Sequence, residues 1–318
     1  MEKILIGTEM PVKECRAIYK ELIEIGFSED DIYFIPINYL RSESASLNFI
    51  TYSEFNYLQY IEFHLTNRCN LNCAGCSHFI PLIPQEEEIN YDELKNDLRQ
   101  LKELVYHISE IRIMGGEPLL SPHLQECCVY VRNLYPYANI NIVTNGTLVE
   151  RMSEELMQAI RTTGIRLDIT CYPPVYDTYE SVARFLKYNN INFKMDIRWG
   201  MCPVLHKDDN HRFKHDCTAL LCECYNLYNG FLYPCPLAAY ISFFIDYYHQ
   251  SFPEKEGTSI YHVNSFSELY SELISNKKIC DYCNHYGMYR NYNRNKFKLC
   301  SKTPEMDDWI RDYEGERI

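Results

Sequence analysis

The sequence predicts an α/β fold built on a mostly parallel sheet. Between residues 59 and 198, short segments in which apolar and polar residues alternate, as in half-buried strands, recur along the chain. Segments with helical spacing, roughly ten residues or longer, separate them. Strand–helix alternation of this kind is typical of parallel strands joined by crossover helices, either in a barrel or in an open sheet.

A small βαβ-like unit is predicted over residues 1 to 55. Ile4–Ile6 has the composition of a strand, an amphipathic helix follows and ends near Gly26, and Ile32–Ile35 is extended again. The segment has no GxGxxG motif, so a dinucleotide site is not predicted. We interpret this unit as a packing or partner-docking extension.

The central segment, residues 56 to 200, contains the predicted parallel strands. Asn90 is placed to cap a helix that continues to about Tyr106, with an apolar stripe along one face. The predicted strands are, in order, Gln59–Leu65, Ile111–Met114, Asn139–Thr144, Ile165–Thr170 and Asn192–Arg198.

Composition limits the class of protein. The net charge of −13, from 31 basic and 44 acidic residues among 318, argues against a nucleic-acid partner. No apolar run approaches the roughly 18 residues that span a membrane, and Met1–Gly7 resembles a strand more than a signal peptide. We therefore expect a cytoplasmic protein without a membrane partner. Fifteen cysteines in such a chain indicate metal ligation rather than a disulfide framework.

Three cysteines with CxxxCxxC spacing directly follow the first central strand, at Cys69, Cys73 and Cys76. One short loop can then give three thiolates to an iron–sulfur cluster and leave the fourth iron open. A zinc site or three unrelated core thiols are the alternatives. A second motif, Gly115-Gly116-Glu117-Pro118, ends the next strand.

These two motifs, in this order and at strand ends, resemble the radical S-adenosylmethionine (SAM) superfamily. The resemblance implies a partial (β/α)6 barrel and a four-iron cluster whose open iron chelates SAM. It also implies that Gly115, Gly116, Glu117 and Pro118 lie at the SAM amino group. Thr144 and Asn145 resemble the family's fourth-strand segment at the ribose, and Thr170 is a further cofactor candidate. The aromatic residue usual before the third cysteine is absent because Gly75 stands there, and His78 or Phe79 is a possible substitute.

A second set of cysteines lies in the last segment, residues 201 to 318. Cys217, the run Gly230–Cys235, and Cys280 with Cys283 have the order C-x12-G-x4-C, gap, CxxC. This order resembles the twitch domain, a shortened SPASM domain that holds one auxiliary four-iron cluster. Zinc is the alternative metal, Cys222 and Cys224 are alternative first ligands, and the role of Cys300 stays open.

We therefore predict a radical SAM oxidoreductase, a dehydrogenase or an epimerase. The resemblance is to the cyclitol (2-deoxy-scyllo-inosamine) dehydrogenase type and to radical SAM proteins of bacterial glycan gene clusters. It implies a polyhydroxylated, carbohydrate-like small molecule as substrate, which is a sugar, a cyclitol or a nucleotide-linked sugar. It also implies an auxiliary cluster as electron relay and a flavodoxin or ferredoxin-type electron donor. Arg198, at the end of a sixth barrel strand, is the predicted substrate or proton-handling residue. Glu62 and His64 share one face of the first strand and are expected in the barrel interior.

Two other functions are compatible with the same motifs. Many SPASM and twitch enzymes mature ribosomal peptides, although the N-terminal unit lacks the strands and helical bundle expected of a peptide-recognition domain. A non-catalytic metal-binding assembly protein is the second alternative.

Overall fold

The N-terminal unit has a β–α–β arrangement in the computed structural model. The structure describes residues 4–7, 12–35, 50–51, 56–84, 86–201, 203–207, 217, 223–275, 277–284, 297–300 and 303–311. Strand β1 (Ile4–Gly7), helix α1 (Val12–Glu24) and strand β2 (Ile32–Ile35) follow in order, and β2 is parallel to β1. Strand β3 (Ile50–Thr51) adds to β2 in the antiparallel direction. The predicted strand–helix–strand order is confirmed in these described residues, and the bounds of the unit at residues 1 and 55 stay a prediction.

The central sheet contains five consecutive strands joined by crossover helices. The strands are β4 (Tyr57–Thr66), β5 (His107–Gly115), β6 (Asn139–Thr144), β7 (Arg166–Cys171) and β8 (Phe193–Ile197). The helices are α2 (Tyr91–Leu104), α3 (Leu124–Leu134), α4 (Glu154–Thr163) and α5 (Tyr179–Tyr188). All neighbouring strands in this series are parallel, which gives the predicted partial barrel.

The helices cover one face of this sheet because every second strand residue is apolar. Ile61, Phe63 and Leu65 of β4 are buried in a core that continues through the helices. The Asn90 side chain caps α2 by accepting from the backbone N–H groups of Asp92 and Glu93, as its position in the sequence predicts. The opposite sheet face carries the polar residues of each strand.

Three strands in the last third of the chain extend the same sheet, and two others form a separate two-stranded sheet with each other. Its elements are β9 (Leu205–His206), β10 (Tyr225–Tyr228), β11 (Phe231–Tyr233), α6 (Pro236–Tyr248), β12 (Thr258–Ser259), α7 (Phe266–Leu273) and β13 (Ile310–Arg311). Strand β10 pairs with β4 in the parallel direction, and the sheet order is β12-β11-β10-β4-β5-β6-β7-β8. The sixth parallel strand therefore lies on the far side of β4 and not after β8. Arg198 follows the fifth strand of the series, which corrects the expectation of a sixth.

A second apolar core joins helix α6 to the C-terminal residues. Phe79, Phe244 and Trp309 are fully buried in it. Residues 298–300 run antiparallel to residues 72–74: the N–H of Ala74 donates to the carbonyl of Lys298, and the N–H of Cys300 donates to that of Asn72. The end of the described chain thus packs against the predicted cysteine loop.

No helix within the described ranges has the length and apolar character to cross a bilayer.

The two tryptophans of the chain give a matched pair of stability variants. Trp309 is fully buried and its indole N–H donates to the Cys76 carbonyl at 2.9 Å, whereas Trp199 is 57% exposed. We expect Trp309→Ala to lower the free energy of unfolding by about 3–5 kcal/mol, because it opens a large cavity. Trp199→Ala should change it by no more than about 0.5 kcal/mol. Urea denaturation measures both, and equal losses would contradict this view of the second core.

Candidate active site

A pocket lies at the carboxyl ends of strands β4 to β7. It brings together eight of the residues predicted from the sequence: Cys69, Cys73, Cys76, Gly115, Gly116, Thr144, Asn145 and Thr170. Thr144 ends the third strand of the parallel series and not the fourth, while Thr170 lies near the end of the fourth. Glu117, Pro118 and Arg198 are not among the residues that line the pocket.

The two glycines allow the end of β5 to touch the start of the cysteine loop. A Cβ atom on Gly116 would lie 2.1 Å from the carbonyl oxygen of Arg68, and one on Gly115 would lie 2.2 Å from that of Thr66. The N–H of Gly116 donates to the Thr66 carbonyl at 2.9 Å, and the N–H of Glu117 donates to the Arg68 carbonyl at 2.8 Å. Only glycine permits this approach, which also places bare backbone in the pocket wall.

Glu117 is buried and connects the ends of β5 and β6 through hydrogen bonds. Its carboxylate accepts from the Thr144 hydroxyl at 2.7 Å, the Asn145 N–H at 2.8 Å and the Leu119 N–H at 3.1 Å. The Asn145 amide in turn donates to Asn70 in the cysteine loop at 2.9 Å. These bonds fix the loop relative to the strand ends. A direct contact of Glu117 or Pro118 with SAM stays a prediction.

The three loop thiols are chemically suited to a cluster. Burial raises the pKa of Cys69 to about 12, and it also raises the pKa values of Cys73 and Cys76. Thiolates at such positions need positive charge beside them, which metal ligation supplies. The donor set, the shared pocket and the glycine-lined wall therefore fit a three-thiolate four-iron cluster with room beside it.

Two histidines support the loop from inside the barrel. The His64 ring bonds through Nε2 to Nδ1 of His78 at 2.8 Å and through Nδ1 to Asn67 at 3.0 Å. His78 lines the pocket, whereas Phe79 is fully buried in the second core and does not. Of the two predicted substitutes for the missing aromatic residue, only His78 is at the pocket. Its pairing with His64 has no signal in the sequence, because fourteen positions separate them.

The four C-terminal cysteines of the predicted auxiliary site are also neighbours. Burial raises the pKa of Cys235, and the nearby thiols of Cys283, Cys280 and Cys217 raise it further. The Cys235 thiol caps helix α6 by accepting from the Ala238 N–H at 3.5 Å.

The alternative first ligands of this second site are not equivalent. Cys224 lies near Tyr60 of β4, where its charge raises the pKa of that phenol. Cys222 lies outside the described residues.

Neither the three loop cysteines nor the four C-terminal cysteines form a closed site for a single metal ion. Within the described ranges, no three Cys, His, Asp or Glu side chains are gathered closely enough to hold one metal ion. In a four-iron cluster each thiolate binds a different iron, so its ligands need not meet at one point.

Comparison with protein families identifies the barrel. Residues 63–193 match the family model described as Radical SAM superfamily. The barrel is a radical SAM domain. Members of this superfamily use a four-iron cluster and SAM.

The segments that match curated relatives cover only part of each relative's chain. Molybdenum cofactor biosynthesis protein 1 of Bos taurus is 32% identical over 176 residues, which are 53% of this chain and 27% of that protein. The probable GTP 3',8-cyclase of Methanothermobacter marburgensis is 31% identical over 143 residues, 44% of each chain. The chain thus spans less than half the length of these relatives.

Two solved structures are also similar. BtrN in complex with AdoMet and 2-DOIA is 16% identical, with 79% of this chain and 98% of that chain covered and a TM-score of 0.41. Streptococcus suis SuiB bound to precursor peptide SuiA is 11% identical, with 81% and 75% covered and a TM-score of 0.37.

The barrel's concave face, opposite the helices, is lined by charged pairs. We call this set the polar face. Each pair joins residues two apart on one strand: Glu110 and Arg112, Arg166 and Asp168, and Lys194 and Asp196, each with a nitrogen–oxygen distance of 2.6 Å. Between 14% and 57% of each side chain's surface is exposed, so the face is open to solvent. Barrel interiors are usually packed with branched apolar residues, and this one is not.

Glu62 is the buried carboxyl of the polar face. It is 5% exposed, and the Tyr60 hydroxyl donates to it. Burial raises the Glu62 pKa to about 7, against the opposing effects of the Tyr60 hydrogen bond and the Arg112 charge. Glu62 and His64 are both inside the barrel, as the strand alternation predicts.

Arg198 lies at the rim of the barrel. Its N–H donates to the Cys171 carbonyl at 2.9 Å, its own carbonyl accepts from the Tyr176 hydroxyl at 2.8 Å, and the residue is exposed. Its catalytic role stays a prediction.

Substitution of the second motif glycine tests the loop contact. We expect Gly116→Ala to lose the cluster, because its Cβ atom would meet the Arg68 carbonyl at 2.1 Å and displace the loop. Strain of this kind costs about 1–3 kcal/mol. Iron quantification after anaerobic reconstitution measures the loss. Gly164→Ala, whose Cβ atom would meet nothing within 4 Å, is the control and should keep its iron.

The raised pKa of Glu62 predicts a pH-dependent stability. Its carboxyl keeps a proton in the folded chain up to about pH 7, whereas the unfolded chain releases it near 4.5. The folded state therefore binds more protons between these values, and stability falls as the pH rises through this window. The melting temperature of Glu62→Gln should fall less than that of the native protein between pH 5 and pH 8. The exposed-site variant Glu126→Gln should behave like the native protein, and parallel curves for all three would contradict the buried acid.

Proposed function

We propose that this protein is a radical SAM oxidoreductase that oxidises or epimerises a neutral, polyhydroxylated small molecule. The observation that carries the proposal is the polar face, whose partly exposed charged pairs lie on β5, β7 and β8, the first two of which contribute residues to the cysteine pocket at their carboxyl ends. Binding sites place a few polar groups where they fix a ligand's orientation, and hydroxyl groups can both donate to and accept from such groups.

The assignment of residues follows the pocket. Cys69, Cys73 and Cys76 would hold three irons of the cluster, and the bare backbone of Gly115 and Gly116 leaves space for SAM beside the fourth. When bound and reduced, this cofactor pair supplies a 5′-deoxyadenosyl radical that takes a hydrogen atom from the substrate. The chain's own task is to orient the substrate and to exclude water.

The charge pairing favours a neutral substrate over a nucleoside triphosphate. Phosphate groups are recognised by cations that are free to bond them, above all by the fork of an arginine. Arg112, Arg166 and Lys194 of the polar face each already bind a carboxylate at 2.6 Å. A triphosphate would have to break these pairs and leave unpaired carboxylates, with side chains between 14% and 51% exposed, beside its own charge.

GTP cyclisation is the second candidate function. The curated relatives named GTP 3',8-cyclase, which are 30% and 31% identical over 132 and 143 residues, are the observation that favours it. Deuterium transfer from a labelled polyol or from labelled GTP separates the two candidates.

An auxiliary cluster at Cys217, Cys235, Cys280 and Cys283 belongs to the proposal. Four thiolates would leave that cluster no open iron, and its chemistry would be to accept or pass on one electron. With it the enzyme would be a dehydrogenase, and a flavodoxin or ferredoxin-type protein would supply the reducing electron at the first cluster. Zinc in the same four cysteines would favour epimerisation, because no acceptor would then take the substrate's electron.

Peptide maturation and a non-catalytic metal-binding role have less support. Within residues 4–7, 12–35 and 50–51, the N-terminal unit is three short strands, one α-helix and one short 3-10 helix. This is unlike the strands and helical bundle expected of a peptide-recognition domain. The open polar face beside the cysteine pocket argues against a barrel retained for structure alone.

Deuterium transfer tests the function directly. The reconstituted, reduced protein is incubated with SAM and with carbon-deuterated myo-inositol, 2-deoxy-scyllo-inosamine, glucose or GTP. We expect deuterium in 5′-deoxyadenosine with a polyol and none with GTP. Transfer from GTP alone would replace the proposal with the cyclase function.

Cysteine variants separate the two sites. Alanine at Cys69, Cys73 and Cys76 should abolish SAM cleavage, since that cluster would be lost. Alanine at the four C-terminal cysteines should keep deuterium transfer but abolish ketone formation. Cys128→Ala, in the buried core of helix α3, should keep the native iron content and both activities. Ketone formation without the four C-terminal cysteines would contradict the electron-relay role.

A further inference from the structure

Two buried polar atoms without partners lie beside Glu62. Asn226 and Tyr240 are fully buried, yet within the part of the chain that the structure describes neither the Asn226 side-chain oxygen nor the Tyr240 hydroxyl has a hydrogen-bond partner. Asn226 stands directly opposite Glu62 in the parallel pairing of β10 with β4, and its amide group bonds the carboxyl. Buried polar groups in proteins are nearly always satisfied, so two such atoms around one carboxyl indicate a polar ligand.

Helix α6 brings Tyr240 to this position. The Tyr240 ring stacks on His64 at 4.0 Å between centroids and lies 5.2 Å from His78, whose ring lines the cysteine pocket. Burial raises the pKa of the Tyr240 hydroxyl, and the charge of Glu62 is the next cause, which places the two groups near each other. The group of Glu62, Asn226 and Tyr240 is thus adjacent to the pocket.

Glu62 differs from the other carboxylates of the polar face. Glu110, Asp168 and Asp196 each bind a cation at 2.6 Å. Glu62 instead accepts from the Tyr60 hydroxyl and lies 3.8 Å from Nε2 of His78. Its side chain retains 7% exposure, on the sheet face that is open to solvent.

We propose that Glu62, Asn226 and Tyr240 form a subsite for a substrate hydroxyl group, in which Glu62 is the base that takes the hydroxyl proton. The inference rests on the proposed function and names the residues that would bind the substrate's hydroxyl group. Oxidation of a secondary alcohol removes a hydrogen atom from carbon, a proton from oxygen and one electron, and leaves a ketone. When bound, SAM and the auxiliary iron–sulfur cluster would supply the acceptors of the hydrogen atom and of the electron, and the Glu62 carboxylate would take the proton.

The charged surroundings of Glu62 are suited to this role. A base works best when its pKa lies near the working pH, and burial brings the Glu62 pKa to about 7. Arg112 and the Tyr60 hydrogen bond lower this pKa, and Glu110 raises it. The titratable and charged groups that face it from the packed elements are Tyr60 on β4, Glu110 and Arg112 on β5, His78 after the cysteine loop, and Tyr240 on α6.

Removal of the Tyr240 hydroxyl tests whether the subsite binds the substrate. Tyr240→Phe should weaken binding of myo-inositol and 2-deoxy-scyllo-inosamine by about tenfold, the scale of one hydrogen bond. Its melting temperature should not fall, because the hydroxyl has no partner to lose. Tyr248→Phe is the matched control: its hydroxyl, on the same helix, is also buried and without a partner, and its substitution should leave binding unchanged. Calorimetry measures binding, and an equal effect of the two variants would overturn the subsite.

Glu62→Gln tests the proton step. With the deuterated polyol that the native protein uses, the variant should still transfer deuterium to 5′-deoxyadenosine, while ketone formation falls by at least about 100-fold. The native rate should rise with pH through about 7, and the residual rate of the variant should not. In the cofactor-free protein, infrared difference spectra of native against variant should contain a carboxylic-acid band at pH 6 that is lost at pH 8.

The outcomes separate this inference from the function on which it rests. Ketone formation in Glu62→Gln within twofold of native, or no such infrared band, would overturn the base while the radical oxidation stood. No deuterium transfer from any polyol by the native protein would overturn the proposed function, and the subsite with it.

Discussion

The close contact between the end of β5 and the start of the cysteine loop is the constraint on which the site depends. Gly115 and Gly116 bring their backbone against the carbonyl groups of Thr66 and Arg68, where no Cβ atom fits. This contact holds the loop over the strand ends, and the buried Glu117 then ties it to β6 through Thr144 and Asn145. A short run of glycines thus determines where three thiols stand relative to the barrel opening.

Sequence patterns predicted the parts of the structure that arise locally. The strand alternation located β4 to β8 within a few residues, and Asn90 caps α2 as expected. The order C-x12-G-x4-C and CxxC grouped four C-terminal cysteines whose thiols lie near one another in the structure. Their role as a metal site stays a prediction, and spacing does not distinguish iron–sulfur from zinc.

Long-range contacts had no such pattern. The antiparallel contact of residues 298–300 with residues 72–74, and the stacking of Tyr240 on His64, join segments with no sequence signal for each other. The position of β10 beside β4 was missed for the same reason, and with it the approach of Asn226 to Glu62. Strand pairing and side-chain satisfaction are properties of the packed chain, and only the structure reveals a buried hydroxyl that has no partner.

The contact between Trp309 and the cysteine loop has a consequence for biosynthesis. The indole donor and the Cys76 carbonyl it binds are 233 positions apart in the chain. At the usual pace of translation, about 5–20 residues per second, the ribosome needs on the order of 10–50 s to reach the tryptophan after it has made the cysteines. During that interval the nascent loop lacks the cover of the second core. The buried surroundings of the loop can therefore form only after the chain has been made as far as Trp309.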